Sequence, residues 1–257
     1  MKVIPKTILT EDGFSLDTEI FEPNVRGAKV IVICHGLTGD KDGKHGQLLE
    51  LDKKLCFKGF RVIRFDFRGH GKSSGIDLDV NVESLINDLD AVINSECKGS
   101  LEQDVYYFGF SFGAFAVMEY IRRMELKVPK LVLWSPALNP NDSSFENKNT
   151  FCYKEIYDAK NNGTLEKDGF VYWKSKNFKV SKLFIDQITK YNYANGLIVL
   201  PKTTMILQAL NDKNIDKKYN ENYAKEYGFI YREYEASHSL FETIDAVIEE
   251  TVKYFNN

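Results

Sequence analysis

The chain has 257 residues, and its hydrophobic share of 43% and charged share of 28% are typical of a globular domain, which excludes a disordered or fibrous protein. A net charge of -3 and a sequence pI near 5.9 provide no positive field for phosphate backbones, so we expect no nucleic-acid partner. No stretch of about 18 uncharged apolar residues occurs, and the N-terminus lacks the apolar core of a signal peptide. These features predict a cytoplasmic protein without a membrane span.

The cysteines show no pattern of a disulfide framework or a metal site. Cys34, Cys56, Cys97 and Cys152 are scattered, without a C-x-x-C motif or a cysteine–histidine ligand spacing. We therefore expect reduced thiols and no bound metal.

The first two predicted elements form a hairpin. Residues 2–9 and 14–21 alternate between apolar and polar side chains, and the intervening Glu-Asp-Gly supplies turn chemistry. Residues 29–34, K-V-I-V-I-C, are instead almost continuously apolar, which is typical of a parallel strand covered by helices on both faces. The pattern predicts an antiparallel hairpin at the edge of a sheet whose parallel part begins at residue 29.

Two glycine-rich loops follow the next predicted strands. The loop H-G-L-T-G-D-K-D-G-K-H-G, residues 35–46, comes directly after the strand at 29–34 and precedes a helical pattern at 48–55. A strand at 60–65 leads into D-F-R-G-H-G-K-S-S-G, residues 66–75, whose glycines lack the G-x-x-x-x-G-K-[ST] spacing of a phosphate loop. Because open sheets bind ligands at the carboxyl ends of their strands, we expect these loops to border a site that does not bind nucleotides.

The motif that says most about chemistry lies at residues 105–116, V-Y-Y-F-G-F-S-F-G-A-F-A. An apolar run ends at Gly109 and a helical pattern begins after Gly113, so a strand turns sharply into a helix at Ser111. Glycines two residues before and two residues after the serine fit a bend that has no room for Cβ atoms. The pattern predicts a nucleophile elbow; the alternative is an ordinary turn with a solvated serine.

The remaining elements continue an alternation of strands and helices. They are a helix at 82–93, a strand at 130–134, a strand at 203–209, a helix at 217–227, a strand at 229–234 and a C-terminal helix at 240–254. This alternation predicts right-handed crossovers and a doubly wound sheet.

The elbow and the two glycine-rich loops resemble those of the α/β-hydrolase family. The resemblance implies the α/β-hydrolase fold, with a mostly parallel, doubly wound sheet of about eight strands, an N-terminal antiparallel hairpin and an inserted cap. It also implies that the backbone N–H groups of Leu37 and Phe112 form an oxyanion hole.

The resemblance also bears on the other polar residues of these loops. Asp66 and His70 match loop positions that are structural in the family. We expect His35 to hold its loop by hydrogen bonds rather than to act as a base, and we expect His45 to lie at the surface.

A serine hydroxyl is a poor nucleophile unless a base takes its proton. The family order is serine, acid, histidine, and His238 is the only one of the four histidines that follows Ser111. The acid is Asp212, which directly follows the strand at 203–209, or Asp216 four residues later. We prefer Asp212 because it lies closer to the strand end, although Ala209 stands where the family's G-x-x-D loop commonly has glycine.

Residues 139–200 interrupt the alternation with polar clusters and many aromatic residues, and this stretch is too long for a simple crossover. In the resembling family a cap is inserted here, which predicts a core domain of residues 1–138 and 201–257 and a cap subdomain of residues 139–200. The aromatic side chains either line a substrate pocket or pack on the core. The candidates for substrate binding are Phe145, Phe151, Tyr153 and Trp173.

The resemblance implies a serine hydrolase without a cofactor that cleaves small or medium-sized carboxylic esters, including those with aromatic, hydroxycinnamoyl-type acyl groups. The chain looks most like the cinnamoyl and feruloyl esterases and related small carboxylesterases. Monoacylglycerol lipases, acyl thioesterases and aminopeptidases share the same core, and an aminopeptidase would need an acidic cap residue such as Glu146, Glu155 or Glu166. A non-catalytic ligand-binding protein is a further alternative. The expected partner is a small-molecule ester, and a homodimer is left open.

Overall fold

A computed structural model describes residues 1–138, 152–190 and 200–257 of the chain. The described strands are β1 (Lys2–Leu9), β2 (Ser15–Glu22), β3 (Val30–Cys34), β4 (Arg61–Phe65), β5 (Val105–Phe110), β6 (Leu131–Trp134), β7 (Phe170–Trp173), β8 (Phe178–Ser181), β9 (Thr204–Ala209) and β10 (Ile230–Tyr234). The described α-helices are α1 (Gln47–Phe57), α2 (Val82–Glu96), α3 (Phe112–Arg123), α4 (Tyr153–Asn161), α5 (Thr164–Asp168), α6 (Lys182–Ile188), α7 (Lys217–Tyr227) and α8 (Ile244–Asn256).

Eight strands form one sheet in the order β1-β2-β4-β3-β5-β6-β9-β10. The β1–β2 hairpin is antiparallel, and β2 also pairs with β4 in antiparallel orientation. From β4 to β10 every neighbouring pair is parallel. The predicted α/β-hydrolase fold with its N-terminal hairpin is therefore confirmed.

The alternation of side chains along β3 explains why this strand is apolar throughout. Val30, Val32 and Cys34 belong to the core on one face of the sheet, where α2 and α3 pack. Ile31 and Ile33 belong to the core on the opposite face, with α1 and α8. Because helices cover both faces, no position of this strand meets water, and all five of its residues are buried.

The parallel arrangement brings three loops to one edge of the sheet. The segments after β3, β5 and β9 all leave from the carboxyl ends of neighbouring or nearby strands. These segments carry residues 35–46, Ser111 and Asp212. Side chains that are far apart in sequence can therefore meet at this edge.

Between β6 and β9, residues 152–190 form α4, α5, the antiparallel pair β7–β8, and α6 outside the main sheet. The sequence pattern did not predict this second, two-stranded sheet. The backbone N–H of Lys179 donates to the Asp77 carboxylate at 2.7 Å, and the N–H of Val82 donates to the Gln187 side chain at 2.8 Å. The segment is thus bound to the main domain at the start of α2.

The C-terminal helix begins later than predicted. Leu240 has a backbone φ of 59°, and residues 241–243 form a 3-10 turn before α8 starts at Ile244. The left-handed conformation of Leu240 prevents a regular helix from starting there.

Candidate active site

Ser111 lies between β5 and α3, with φ 54° and ψ -117°. The neighbouring glycines are required by packing: a Cβ atom on Gly109 would lie 2.4 Å from the Ala114 Cα, and one on Gly113 would lie 2.3 Å from the Cys34 carbonyl oxygen. The sharp bend leaves only 7% of Ser111 exposed. A serine held at positive φ stores backbone strain, which is typical of a nucleophile elbow.

Ser111, His238 and Asp212 form a continuous chain of hydrogen bonds. The Ser111 Oγ lies 3.0 Å from His238 Nε2, and His238 Nδ1 lies 2.7 Å from Asp212 Oδ2. A carboxylate accepts, so His238 Nδ1 carries the proton and Nε2 is left to accept from the serine hydroxyl. The structure thus brings together the three side chains that the sequence pattern selected.

Further donors hold the Asp212 carboxylate in place. Its Oδ1 accepts hydrogen bonds from the backbone N–H groups of Asn214 at 2.8 Å and Ile215 at 3.0 Å. The alternative acid, Asp216, instead caps the N-terminus of α7 by accepting from the Lys218 backbone N–H at 2.9 Å. The geometry therefore favours Asp212 as the partner of His238.

Two buried amides behind the acid were not found from the sequence. Gln208 Nε2 donates to Asp212 Oδ2 at 3.3 Å and to the Ala209 carbonyl at 3.1 Å. Asn220 Nδ2 in turn donates to Gln208 Oε1 at 2.7 Å and to the Pro136 carbonyl at 2.9 Å. The amides connect the acid loop to α7 and to the end of β6. No local motif marks them, because glutamine in a strand and asparagine in a helix are unremarkable as sequence.

His35 fixes the loop that follows β3. Its Nε2 accepts from the Phe67 backbone N–H at 3.0 Å, so Nδ1 carries the proton and donates to the Gly36 carbonyl at 2.8 Å. Burial lowers the pKa of His35, which keeps the imidazole neutral. His35 has the loop-holding contacts that we expected.

His70 completes this support from the other side of the loop. Its Nε2 accepts from the Thr38 backbone N–H at 3.1 Å, and Nδ1 faces the Arg68 carbonyl at 2.9 Å. Burial lowers the pKa of His70 to about 4. The nearby Asp66 carboxylate accepts from the backbone N–H groups of Lys41 at 2.6 Å and Lys72 at 2.9 Å. These contacts join the loops at 35–46 and 66–75 into one unit.

A small cleft of about 40 Å³ lies over the serine. It is lined by Leu37, Thr38, Ser111, Phe112, Trp173, Lys176, Asn214, Ile215 and His238. The two residues predicted to supply oxyanion-hole amides thus border the same space as the nucleophile and the histidine. Thr38, Lys176, Asn214 and Ile215 are additions that the sequence did not single out.

The predicted substrate-binding aromatics have different positions. Trp173 lies at the cleft, whereas Tyr153 is only 8% exposed within the hydrophobic core and does not border the cleft. Phe145 and Phe151 lie outside the described residues. Tyr153 is therefore better explained as a core residue, because the helix α4 directs it inward.

The other candidate polar sites are unremarkable. His45 is exposed, and its ring lies 4.6 Å from that of Phe241. The four cysteines are free and buried, and burial raises the pKa of Cys97 to about 12.

Across residues 1–138, 152–190 and 200–257, no three His, Cys, Asp or Glu side chains cluster so as to hold a metal ion. Within the same ranges, no helix is long and apolar enough to cross a membrane.

The sequence also matches a family described as serine aminopeptidase, S33, over residues 26–188, which is more than half of the chain. The chain belongs to this α/β-hydrolase family. The family match covers the elbow, both glycine-rich loops and the described segment between β6 and α6.

Two curated relatives are enzymes that act on esters or lipids by name. The bifunctional esterase/perhydrolase DCH of Acinetobacter calcoaceticus is 31% identical over 152 residues, which cover 59% of this chain and 51% of that enzyme. The lysophosphatidylserine lipase ABHD12 of Xenopus tropicalis is 28% identical over 151 residues, which cover 57% of this chain and 38% of that lipase. The match thus spans about half or less of each relative.

Solved structures show the same fold over nearly the full chain. Est1E of Butyrivibrio proteoclasticus, determined with ferulic acid bound, aligns with a TM-score of 0.80 at 18% identity and covers 97% of both chains. The esterase EaEST of Exiguobacterium antarcticum aligns with a TM-score of 0.72 at 20% identity, over 99% of this chain and all of its own. The predicted resemblance to the α/β-hydrolases and their esterases is confirmed at the level of the fold.

Proposed function

We propose that this hydrolase cleaves carboxylic esters of small or medium size through an acyl-enzyme on Ser111. The observation that carries the proposal is the hydrogen-bonded chain from Ser111 Oγ through His238 to the Asp212 carboxylate, built on an elbow at positive φ. An imidazole nitrogen at 3.0 Å from a serine hydroxyl is placed to take its proton as the oxygen attacks a carbonyl.

In the proposed reaction, His238 receives the serine proton and then gives it to the departing alcohol. Asp212 fixes the ring orientation and stabilises the imidazolium. The backbone N–H groups of Leu37 and Phe112 stabilise the oxyanion of the tetrahedral intermediate. Water, activated by the same histidine, then releases the acid and restores the serine.

The apolar lining of the cleft favours a substrate with an apolar or aromatic acyl group. Phe112, Trp173 and Ile215 border the space over Ser111 and offer apolar surface to a bound substrate. Aromatic side chains bury large areas at low conformational cost, so Trp173 would hold a flat acyl group well. We further propose that residues 139–200 act as the cap that provides this wall.

Aminopeptidase activity has less support on the described residues. Such an enzyme would hold the substrate's free amino group with a carboxylate close to the nucleophile. Glu155 and Glu166 do not border the cleft, and Glu166 has a side chain that is 75% exposed. Glu146 lies outside the described residues. Leucine 4-nitroanilide beside 4-nitrophenyl esters would distinguish the two activities directly.

The test uses a fluorophosphonate probe and a panel of 4-nitrophenyl esters. We expect the wild-type protein to be labelled at Ser111 and to hydrolyse short esters. Ser111→Ala should abolish labelling and reduce kcat by a factor on the order of 10⁶, because the triad has lost its nucleophile.

Ser175→Ala is the matched control, since Ser175 is an exposed serine in the turn between β7 and β8. It should leave labelling and turnover unchanged. A folded wild-type protein that neither reacts with the probe nor hydrolyses any ester would favour the non-catalytic ligand-binding alternative.

A further inference from the structure

The turn between β7 and β8 presents a lysine to the active-site cleft. Residues 174–176 form a 3-10 turn that ends at Asn177, where φ is 49°, a conformation that asparagine tolerates better than most residues. The Asn177 backbone N–H donates to the Lys174 carbonyl at 3.2 Å, and the Tyr172 hydroxyl donates to Asn177 Oδ1 at 2.6 Å. The backbone that carries Lys176 is therefore held by local hydrogen bonds.

The same hairpin is attached to the main domain, so the lysine has a defined position relative to the serine. The Lys179 backbone N–H donates to Asp77 at 2.7 Å on the far side of the turn. On the near side, Trp173 is buried beside the cleft, and Lys176 Nζ lies 5.8 Å from the centre of its ring. This distance is within the range of a cation–π contact, which favours a lysine that extends along the indole.

Among the residues that the structure describes, the cleft is bordered by a lysine and by no acidic side chain. Lys176, Ser111 and His238 border the same small space. Within the described ranges of the chain, Lys176 is in no ion pair. The Asp212 side chain is fully buried, and its Oδ2 is directed to His238 Nδ1, so its direct partner is the histidine.

Lys176 is itself exposed, and the cleft beside it is partly apolar. Leu37, Phe112 and Ile215 contribute apolar surface to the cleft, and a charge next to apolar surface is screened less than one in open water. The chain as a whole carries a net charge of -3, so Lys176 is a local positive charge on a molecule of negative net charge.

We propose that Lys176 makes the enzyme select esters that carry a negative charge within a few bonds of the scissile carbonyl. This inference rests on the proposed esterase function and defines its substrate class. The Lys176 ammonium would pair with a carboxylate or phosphate of the substrate while the ester carbonyl lies over Ser111. An Asn214 side chain at the same cleft can add a hydrogen bond to that anion.

The acyl side is tested with two isosteric substrates. Mono-(4-nitrophenyl) glutarate has a carboxylate at the end of its acyl chain, and 4-nitrophenyl 5-methylhexanoate has an isopropyl group in the same place. In Lys176→Met, the ratio of kcat/KM for the anionic ester to that for the neutral ester should fall about three- to tenfold relative to wild type. The neutral ester should lose less kcat/KM than the anionic ester does.

The alcohol side is tested with carboxymethyl butyrate and isobutyl butyrate, with acid release followed by titration. The arm in which the Lys176→Met ratio falls identifies the side of the ester that bears the charge. In that arm, 0.5 M NaCl should lower the wild-type ratio of kcat/KM for the anionic ester to that for the neutral ester, because salt screens the exposed pair of Lys176 and the substrate anion. The same ratio in Lys176→Met should not change with salt.

Lys179→Met is the matched control. Lys179 lies on the same hairpin with its Nζ 5.1 Å from the Phe170 ring, and it does not border the cleft. Its variant should keep the wild-type ratio in both arms. Unchanged ratios in Lys176→Met, with neutral esters still hydrolysed, would overturn the inference and leave the esterase proposal intact. Absence of turnover on all four esters in folded wild-type protein would instead overturn the esterase proposal itself.

Discussion

The carboxylate of Asp212 accepts from four donors: His238 Nδ1, Gln208 Nε2, and the backbone N–H groups of Asn214 and Ile215. These contacts set both its position and the plane in which it meets the imidazole. A nearby carboxylate such as that of Asp216 could not take over the contact with His238 without losing these hydrogen bonds.

A pair of asparagine substitutions tests which aspartate orients His238. Asp212→Asn should lower kcat by a factor on the order of 10⁴, because an amide no longer fixes the imidazole tautomer that accepts from Ser111. Asp216→Asn should keep nearly all activity and stability, since asparagine caps a helix N-terminus about as well as aspartate does. Steady-state kinetics on 4-nitrophenyl butyrate measures both. A large loss of kcat in Asp216→Asn with an active Asp212→Asn would reverse the assignment.

At the scale of residues, sequence reasoning found those that belong to a motif. Ser111 stands in G-x-S-x-G, and His238 follows from chain order and from the small number of histidines. Gln208, Asn220 and Lys176 were missed because their places beside the acid or at the cleft arise only from three-dimensional neighbours. Each of them is an ordinary strand, helix or turn residue when its sequence context is read alone.

At the scale of elements, the hairpin β7–β8 separates its aromatic side chains by the alternation of a strand. Trp173 is 9% exposed and faces the cleft, whereas Tyr172 is 45% exposed on the other side of the strand. Phe178 on the partner strand is also buried, with its ring 5.4 Å from that of His70. Part of the aromatic content of residues 139–200 is therefore core packing, and part of it borders the site.

Trp173→Ala tests whether this element contributes to ester preference. We expect kcat/KM for 4-nitrophenyl hexanoate to fall roughly tenfold and that for 4-nitrophenyl acetate to change little, because remote binding energy lowers the barrier only for the longer acyl chain. Neutral esters keep this measurement independent of Lys176.

Tyr172→Ala is the control on the opposite side of the strand, and its ratio of the two esters should stay at the wild-type value. Thermal unfolding of both variants verifies that they are folded, since loss of a buried indole lowers stability. An equal loss on acetate and hexanoate in Trp173→Ala would mean that the hairpin supports the fold and does not select substrate.

The sequence could not predict this hairpin, although its position between β6 and β9 was expected to hold additional structure. Its strands have only four residues each, and the intervening lysine-rich turn has no glycine. The long periodic segments, such as α2 and β9, were found to within a few residues because their burial patterns repeat over several turns or strand positions. Short elements depend on partners that are distant in sequence, and Asp77 is one such partner for β8.

At the scale of the whole molecule, two buried histidines in the loops beside the site make the stability of the fold depend on pH. Burial lowers the pKa of His70 to about 4 and also lowers the pKa of His35. In the unfolded chain these imidazoles take up protons near pH 6.5. The unfolded state therefore binds more protons below that pH, and the stabilising effect of His70 is present above about pH 6.5 and lost as the pH falls toward 4.

His70→Gln isolates this effect, because glutamine keeps a hydrogen-bond acceptor and does not titrate. Between pH 7 and pH 5, the wild-type free energy of unfolding should fall by about 2 kcal/mol more than that of the variant. Urea unfolding at the two pH values measures the difference. Buried Asp52 and Asp88, whose pKa values are raised by desolvation, act in the opposite sense and are common to both proteins. Equal losses in the two proteins would show that His70 is not buried as a neutral group.

The elbow has a consequence for how this chain can change over evolutionary time. Its shape is maintained by main-chain contacts: the Ser111 N–H donates to the Trp134 carbonyl at 2.9 Å, and the Ser111 carbonyl accepts from Ala137 at 3.1 Å. The serine oxygen takes no part in these contacts, while Gly109 and Gly113 have no room for a side chain. If Ser111 is the nucleophile as proposed, one substitution at position 111 would remove the activity and leave the fold intact. A side chain at Gly109 or Gly113 would instead clash with the backbone and disrupt the fold as well. Inactive descendants should accordingly be recognisable by two retained glycines around an altered central residue.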